Sequence, residues 1–319
     1  VGHEKVGKKM ADLAPVALFV YNRLWHTQQT VEALKRNEPA AESELFVFSD
    51  GPRTEADREK VRAVREYLKT IDGFKEVTVI ERDRNLGLAQ SIITGVTGIV
   101  NRYGKIIVLE DDMVTSPYFL RFMNEALEFY KDEAKVISIH GYIYPVKARL
   151  PETFFLRGAD CWGWATWKRG WDLFEPDGRK LLNELRARKL THGFDFDGAY
   201  GYTRMLEEQI KGKNDSWAIR WYASAFLQDK LTLYPGRSLV CNIGADASGT
   251  HCGISTMYDT EVTGKPVSIE SILLAEDPIA RKEIGCFLKY AAPGLVKNTI
   301  RRVKVLVKRR IHHDRKNYV

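Results

Sequence analysis

Short apolar runs alternate with longer amphipathic stretches through the first half of the chain. Residues 16–21, 45–49, 77–81, 106–109 and 136–139 are brief, rich in β-branched and aromatic side chains, and read as buried strands. Residues 27–35, 54–70, 89–103 and 117–131 read as helices, the second of them opening on Thr54 with acids in its first turn. This repetition predicts an α/β fold, a mostly parallel central sheet with helices on both faces. In such sheets the ligand crevice lies outside the carboxyl ends of the strands. The polar residues that directly follow each strand are therefore the first functional candidates.

The second half changes character. Residues 154–171 are crowded with aromatics and glycine, and residues 179–189, 200–211 and 217–227 read as helices. A strand at 231–234 precedes a Gly/Ser/Asn loop that runs to Cys252. There is no internal repeat and no low-complexity segment.

The 319 residues include 49 Lys and Arg against 42 Asp and Glu, a net charge of +7. From Lys297 onward nine basic residues face one acid, so the rest of the chain is close to neutral. A basic tail on a neutral body is not the composition of a nucleic-acid binder. In that tail Val296, Ile300, Val303, Val307 and Ile311 share one helical stripe with Lys and Arg on the other faces. Such a helix suits an anionic membrane surface through residues 296–316, or else packs on the body with its basic face in water. No apolar stretch approaches the ~18 residues of a membrane span, and the charged start lacks a signal-peptide core. Four cysteines without regular spacing point away from a disulfide framework and toward a reducing compartment. The expected location is cytoplasmic, peripheral at the inner face of the membrane if the tail binds there.

Glu110-Asp111-Asp112 follows the strand at 106–109. Three carboxylates at the end of a buried strand repel one another, and a hard divalent cation, Mn²⁺ or Mg²⁺, would relieve that repulsion. The plain alternative is an acidic turn. The other strand ends carry Tyr21-Asn22-Arg23, Ser49-Asp50-Gly51 and Arg82-Asp83-Arg84-Asn85. Asn22 and Asp50 can hydrogen-bond a base and ribose, and Arg84 and Asn85 at a helix start suit a phosphate. Each taken singly is also ordinary turn chemistry.

Trp162, Trp164, Trp167 and Trp171 crowd one short segment around Gly163. Flat rings suit the C–H faces of sugars and glycine admits a ligand to the backbone, although a core cluster has the same signature. Asp215, just before a helix, is either its cap or a general base for an attacking hydroxyl. Asp195-Phe196-Asp197 follows a polar stretch and reads as loop, and His312-His313 as solvated tail.

Val16-Ala-Leu-Phe-Val-Tyr-Asn22, Phe46-Val-Phe-Ser-Asp50-Gly51, Arg84-Asn-Leu-Gly87 and Val108-Leu-Glu-Asp-Asp-Met113 together resemble the nucleotide-sugar half of GT-A glycosyltransferases. They are similar to bacterial family 2-type sugar transferases and to the N-acetylglucosaminyltransferase I type, whose metal motif is likewise Glu-Asp-Asp after an apolar strand. The resemblance covers roughly residues 15–252. It implies a GT-A domain at 11–257, with a nucleotide-sugar-binding half at 11–113 and an acceptor and catalytic half at 114–257. A C-terminal extension, 258–319, holds the basic tail. The implied reaction is metal-dependent, inverting transfer of a hexosyl or N-acetylhexosaminyl group. The donor would be a nucleoside-diphosphate sugar, a UDP-sugar first, and the acceptor a hydroxyl of a glycan or lipid-linked molecule.

By the same resemblance Asp112 ligates the metal, with Glu110 and Asp111 beside it and near the ribose. Tyr21, Asn22, Arg23, Asp50, Arg84 and Asn85 line the nucleotide. Trp162, Gly163 and Trp164 correspond to a Gly-x-Gly-Trp-like segment along the donor sugar and acceptor. Asn214-Asp215-Ser216-Trp217 is similar to a segment Asp-Asp-Trp-Met-Arg whose acid beside Trp is the base. Alignment on Trp217 puts Ser216 there, and Asp215, one residue earlier, is the group able to act as base. Arg220 would contact the diphosphate, and His251 on the late loop would be a further metal partner. Two readings compete. A nucleotidyltransferase acting on sugar phosphates would need a Gly-rich loop after the first strand, where Tyr21-Asn22-Arg23-Leu24-Trp25 stands instead. A membrane- or nucleic-acid-binding module would be driven by the tail alone.

Overall fold

Strands buried on both faces set the architecture. A computed structural model of the chain describes residues 12–248 and 255–291, so His251 and the basic tail lie outside the described residues. In chain order the strands are β1 (Val16–Val20), β2 (Glu44–Ser49), β3 (Glu76–Glu81), β4 (Lys105–Glu110), β5 (Met113–Thr115), β6 (Val136–His140), β7 (Thr153–Arg157), β8 (Trp164–Trp167), β9 (Leu231–Pro235) and β10 (Val240–Asn242). The helices are α1 (Leu24–Lys35), α2 (Arg58–Leu68), α3 (Leu88–Tyr103), α4 (Phe119–Phe129), α5 (Lys168–Trp171), α6 (Gly178–Ala187), α7 (Thr191–Phe194), α8 (Tyr202–Ile210), α9 (Trp217–Leu227) and α10 (Pro278–Ala291).

Eight strands form one sheet in the order β3-β2-β1-β4-β8-β6-β9-β7. The β1–β2, β2–β3, β1–β4 and β6–β9 pairs are parallel. The β4–β8, β6–β8 and β7–β9 pairs are antiparallel, so the sheet is mixed but mostly parallel, as its apolar runs predict. Because β8 runs against both its neighbours, the carboxyl ends of β1, β2, β3, β4, β6 and β9 share one edge. The turns after these strands form the site. β5 and β10 form a separate antiparallel pair just beyond that edge.

Alternation along β1 assigns its residues to two cores. Val16, Leu18 and Val20 pack with α1, α2 and α4 through Val31, Leu34, Val64 and Phe122. Ala17 and Phe19 pack on the other face with α3 and α9 through Ile92, Val96 and Trp221. A third cluster joins α6, α8, α9 and α10. β7 and β8 fall in or at the edge of the aromatic stretch at 154–171, where neither strand alternates cleanly between apolar and polar positions. β5 and β10, three residues each, are too short to show a period.

Among the described residues no helix is long and apolar enough to cross a membrane. Cys161, Cys241 and Cys286 are free thiols.

α3 lies flat on the sheet at Gly95, where a Cβ would sit 2.7 Å from the Phe19 ring. Phe19 cannot yield, because it stacks on Phe48 with ring centroids 4.8 Å apart. Alanine's helix preference over glycine is worth up to about 1 kcal/mol, while overpacking a core costs about 1–3 kcal/mol. Gly95→Ala should therefore lower the urea midpoint despite the better helix former, and Phe19→Leu in the same chain should recover part of the loss.

Candidate active site

β4 is fully buried from Ile106 to Leu109, and its apolar grip carries Glu110, Asp111 and Asp112 out at the sheet edge. Asp111 and Asp112 are themselves buried. Their counter-charge is Arg23, delivered by the turn after β1, the strand beside β4. Its guanidinium pairs with Asp111 and donates to Asp112 Oδ2 at 2.8 Å. Burial disfavours the Arg23 charge, but Asp111 and Asp112 more than reverse this and raise its pKa. Thr30 on α1 donates to the Asp111 carbonyl at 2.8 Å and fixes the turn from below.

Burial, and then the charges of Asp112 and Asp111, push Glu110 up to about 8. The Trp217 indole, from the first turn of α9, donates to its carboxylate. Asp111 rises to about 6, through burial, against the pull of Arg23. Asp112 Oδ1 is buried without a hydrogen-bond partner. An orphaned carboxylate oxygen is a costly feature. It sits beside a second carboxylate in an all-oxygen donor set that suits Mn²⁺ or Mg²⁺. Among the described residues no three His, Cys, Asp or Glu side chains converge on one point. A cation here would take its remaining ligands from water and the phosphates of a donor.

The β5–β10 pair brings the loop after β10 onto this motif. Ile243 N–H donates to the Asp112 carbonyl at 2.9 Å. At Gly244 a Cβ would lie 2.0 Å from Asp112 Oδ2, so only glycine lets the loop pass there. Asp246 on the same loop comes 3.2 Å from Nε2 of His26, a buried residue of α1. Burial and the Arg23 charge lower the His26 pKa. His26 escaped the sequence reading, and Trp217 entered it only as the anchor that places Asp215, since neither follows a strand. Their only signals were three residues' distance from Arg23 and two from Asp215.

The other expected nucleotide residues lie at the same edge, but several are committed to the protein itself. Asp50 is buried and accepts from Gly51, Leu86 and Gly87 N–H at 3.0, 2.9 and 2.9 Å. It thus occupies the N-terminus of α3, the place expected for a phosphate, with Gly87 at φ +76. Asn85 donates to the Gly51 carbonyl at 2.9 Å and Asn22 to Asp57 at 2.9 Å. Tyr21 accepts from Arg53 N–H, and burial raises its pKa. Arg84 is exposed at the rim.

Four expectations for the second half change. Trp164 has no exposed surface and packs among Trp171, Trp217 and Trp221, so it is a core residue and offers no platform. Gly163 is buried, with φ +66 and a Cβ position 2.7 Å from Val240, so backbone packing accounts for it. Only Trp162 of that group keeps a partly exposed ring. Arg220 turns inward, to the Ser216 and Pro176 carbonyls at 3.1 and 3.3 Å, because a buried guanidinium needs several acceptors. The cap of α9 is Ser216, whose hydroxyl accepts from Ile219 N–H, and not Asp215. Asp215 remains exposed, paired with Arg220 at 3.2 Å. The Asp195 and Asp197 carboxylates serve Thr203 N–H and Arg281, as a loop pair should.

The glycosyl transferase family 2 profile matches residues 16–197, more than half of the 319 residues. No curated protein gives a significant match. Among solved structures, the Pyrobaculum calidifontis mannosyltransferase PcManGT in complex with GDP-Man and Mn²⁺ is 14% identical with a TM-score of 0.36. That alignment covers 70% of this chain and 73% of that one. S. aureus TarS is 14% identical with a TM-score of 0.29 over 46% of this chain, which spans only 24% of TarS. A TarS fragment, residues 1–349, is 12% identical with a TM-score of 0.31, over 50% of this chain and 48% of that one. The chain belongs to glycosyl transferase family 2 and has the GT-A fold.

Asp50 gives a direct test of the site's wiring. Asp50→Ala strands buried N–H groups, each worth about 1–3 kcal/mol. It should lower urea stability by that order and speed amide exchange at Leu86 and Gly87. A residue that served ligand alone would leave both unchanged.

Proposed function

We propose that this family 2 glycosyl transferase is a metal-dependent, inverting enzyme. It moves a sugar from a nucleoside-diphosphate donor, a UDP-sugar first, to a hydroxyl of a glycan or lipid-linked acceptor. One observation carries the reading: the partnerless buried Asp112 Oδ1 beside Asp111, at the strand end beneath Gly244. Asp112, with Asp111 beside it, would hold the cation. Bound Mn²⁺ or Mg²⁺ would offset the charge that develops on the leaving diphosphate.

The remaining steps belong to this chain's residues. Asp215, exposed at the start of α9, takes the proton of the acceptor hydroxyl as its oxygen bonds to the anomeric carbon. The bond from that carbon to the diphosphate oxygen breaks, and the electron pair leaves with the diphosphate. Trp217, two residues on, holds Glu110 by hydrogen bond and so ties the base-bearing helix end to the acid motif. Arg23 keeps Asp111 and Asp112 paired until a cation and donor arrive. Gly244 and Asp246 bring the late loop over the motif.

Asp112→Ala should abolish both transfer and slow donor hydrolysis, while Asp215→Asn should abolish transfer and leave donor binding intact. The donor is found by thermal shift with nucleotide sugars and Mn²⁺, where saturation at 100 times Kd stabilises by about 2.7 kcal/mol. Full activity of Asp112→Ala, without metal dependence, contradicts the reading, and a product with the donor's own anomeric configuration contradicts inversion.

Arg23 separates a resident counter-ion from a mere donor contact. Removing one partner of a buried pair costs about 3–5 kcal/mol. Arg23→Met should lose stability in metal-free buffer and regain more of it than the wild type on titration with MnCl₂.

A further inference from the structure

The sheet edge has a second polar centre that the donor chemistry does not use. The loop between β7 and β8 carries Asp160, whose Oδ1 accepts from Cys161 N–H at 2.8 Å. Its Oδ2 accepts only long hydrogen bonds, from Tyr144 and Tyr234 hydroxyls at 3.3 and 3.4 Å. The Asp160 side chain keeps 22% of its surface and lies 3.9 Å from Nε2 of His140. His140 is wholly buried at the end of β6, and its Nδ1 is without a hydrogen-bond partner.

Tyr144, which donates to this carboxylate, leads into a chain of partly exposed rings. Tyr144 and Tyr258 each contact Phe287 with centroids 5.6 Å apart, and Trp162 meets Tyr258 at 5.7 Å. All four rings are partly exposed. A carboxylate among aromatics is a poor core, since burying it without strong partners is unfavourable. It is also a poor phosphate site, since it repels anions. It suits a neutral ligand with hydroxyls to donate and flat C–H faces to stack, which is a carbohydrate.

Its place in the sheet is equally informative. Trp164 pairs with Val108 of β4 and with His140 of β6, so the loop at 158–163 stands beside the strand end that carries Glu110. Cys161 lies between the two centres, its thiol pushed up by burial and by the charges of Asp160, Glu110 and Asp112. Along one edge the order is therefore the turns of β3, β2 and β1, then the acid motif on β4, then this polar and aromatic group beside β8, β6 and β9.

We propose that Asp160, with the rings of Trp162, Tyr144, Tyr258 and Phe287, forms a subsite for a sugar ring of the acceptor. The Asp160 carboxylate accepts a hydrogen bond from one of that ring's hydroxyls. The word acceptor rests on the transferase reading above; the carbohydrate site itself does not.

The test is saturation-transfer NMR on the full chain with methyl glycosides of glucose, galactose, mannose and N-acetylglucosamine. At least one glycoside should receive saturation through its ring C–H protons. Asp160→Asn should weaken it about tenfold or more, the loss of one charged hydrogen bond, while the donor midpoint moves by less than about twofold. Tyr144→Phe, which removes only a hydroxyl, should weaken it less and serves as the deciding variant if Asp160→Asn does not fold. No binding by any of the four glycosides, or binding that both variants leave unchanged, overturns the subsite. Glycoside binding that depends on Asp160, in a protein that no nucleotide sugar stabilises, keeps the subsite and overturns the donor reading instead.

Discussion

Like charge at the end of a buried strand is the constraint on which the site depends. Two carboxylates about 4 Å apart at an effective dielectric of about 20 repel by about 4 kcal/mol. β4 puts three acids in succession at the sheet edge and buries two of them. The neighbouring residues answer that charge. Arg23 pairs with Asp111 and Asp112, Trp217 donates to Glu110, and Thr30 holds the Asp111 carbonyl. One oxygen of Asp112 is left unanswered, and on the function proposed above that oxygen would face the cation.

The same logic explains why chemically similar residues end in different roles. Asp50 and Asp112 both follow a buried parallel strand. Asp50 meets the free N–H groups at the start of α3 and is satisfied by the backbone. Asp112 meets the glycine of a loop and is not. Trp162 and Trp164 are two residues apart, yet β8 begins at Trp164, so one ring enters the core of α3 and α9 while the other stays at the edge. Arg220 shows the corresponding case among cations. A single helical register turns it onto carbonyls instead of toward the crevice.

The sheet topology makes these contrasts matter. An antiparallel strand inserted between β4 and β6 widens the sheet and leaves the carboxyl ends of β4 and β6 on the same side. The turns of β1, β2 and β3, the acid motif and the aromatic group around Asp160 therefore lie along one edge. β5 and β10, short as they are, fold the late loop back over the acid motif.

Much of this was legible in the chain. Apolar runs of strand length between amphipathic helices determine the α/β class, because a parallel sheet must be buried on both faces. Acids after the fourth run locate the site, because strand ends are where polar residues escape the core. The short β5 and β10 were not legible, nor the β7 and β8 in the stretch rich in aromatics and glycine, since periodicity needs length and clean alternation. Nor could sequence assign roles among the polar residues. Whether an Asp caps a helix, pairs with an Arg or keeps a free oxygen depends on which backbone groups lie within 3 Å of it. Those neighbours come from segments tens to hundreds of residues away, such as Gly244 on Asp112 or His26 on Asp246. Local pattern determined where the polar strand ends would gather, and only tertiary packing decided which of their side chains were left free.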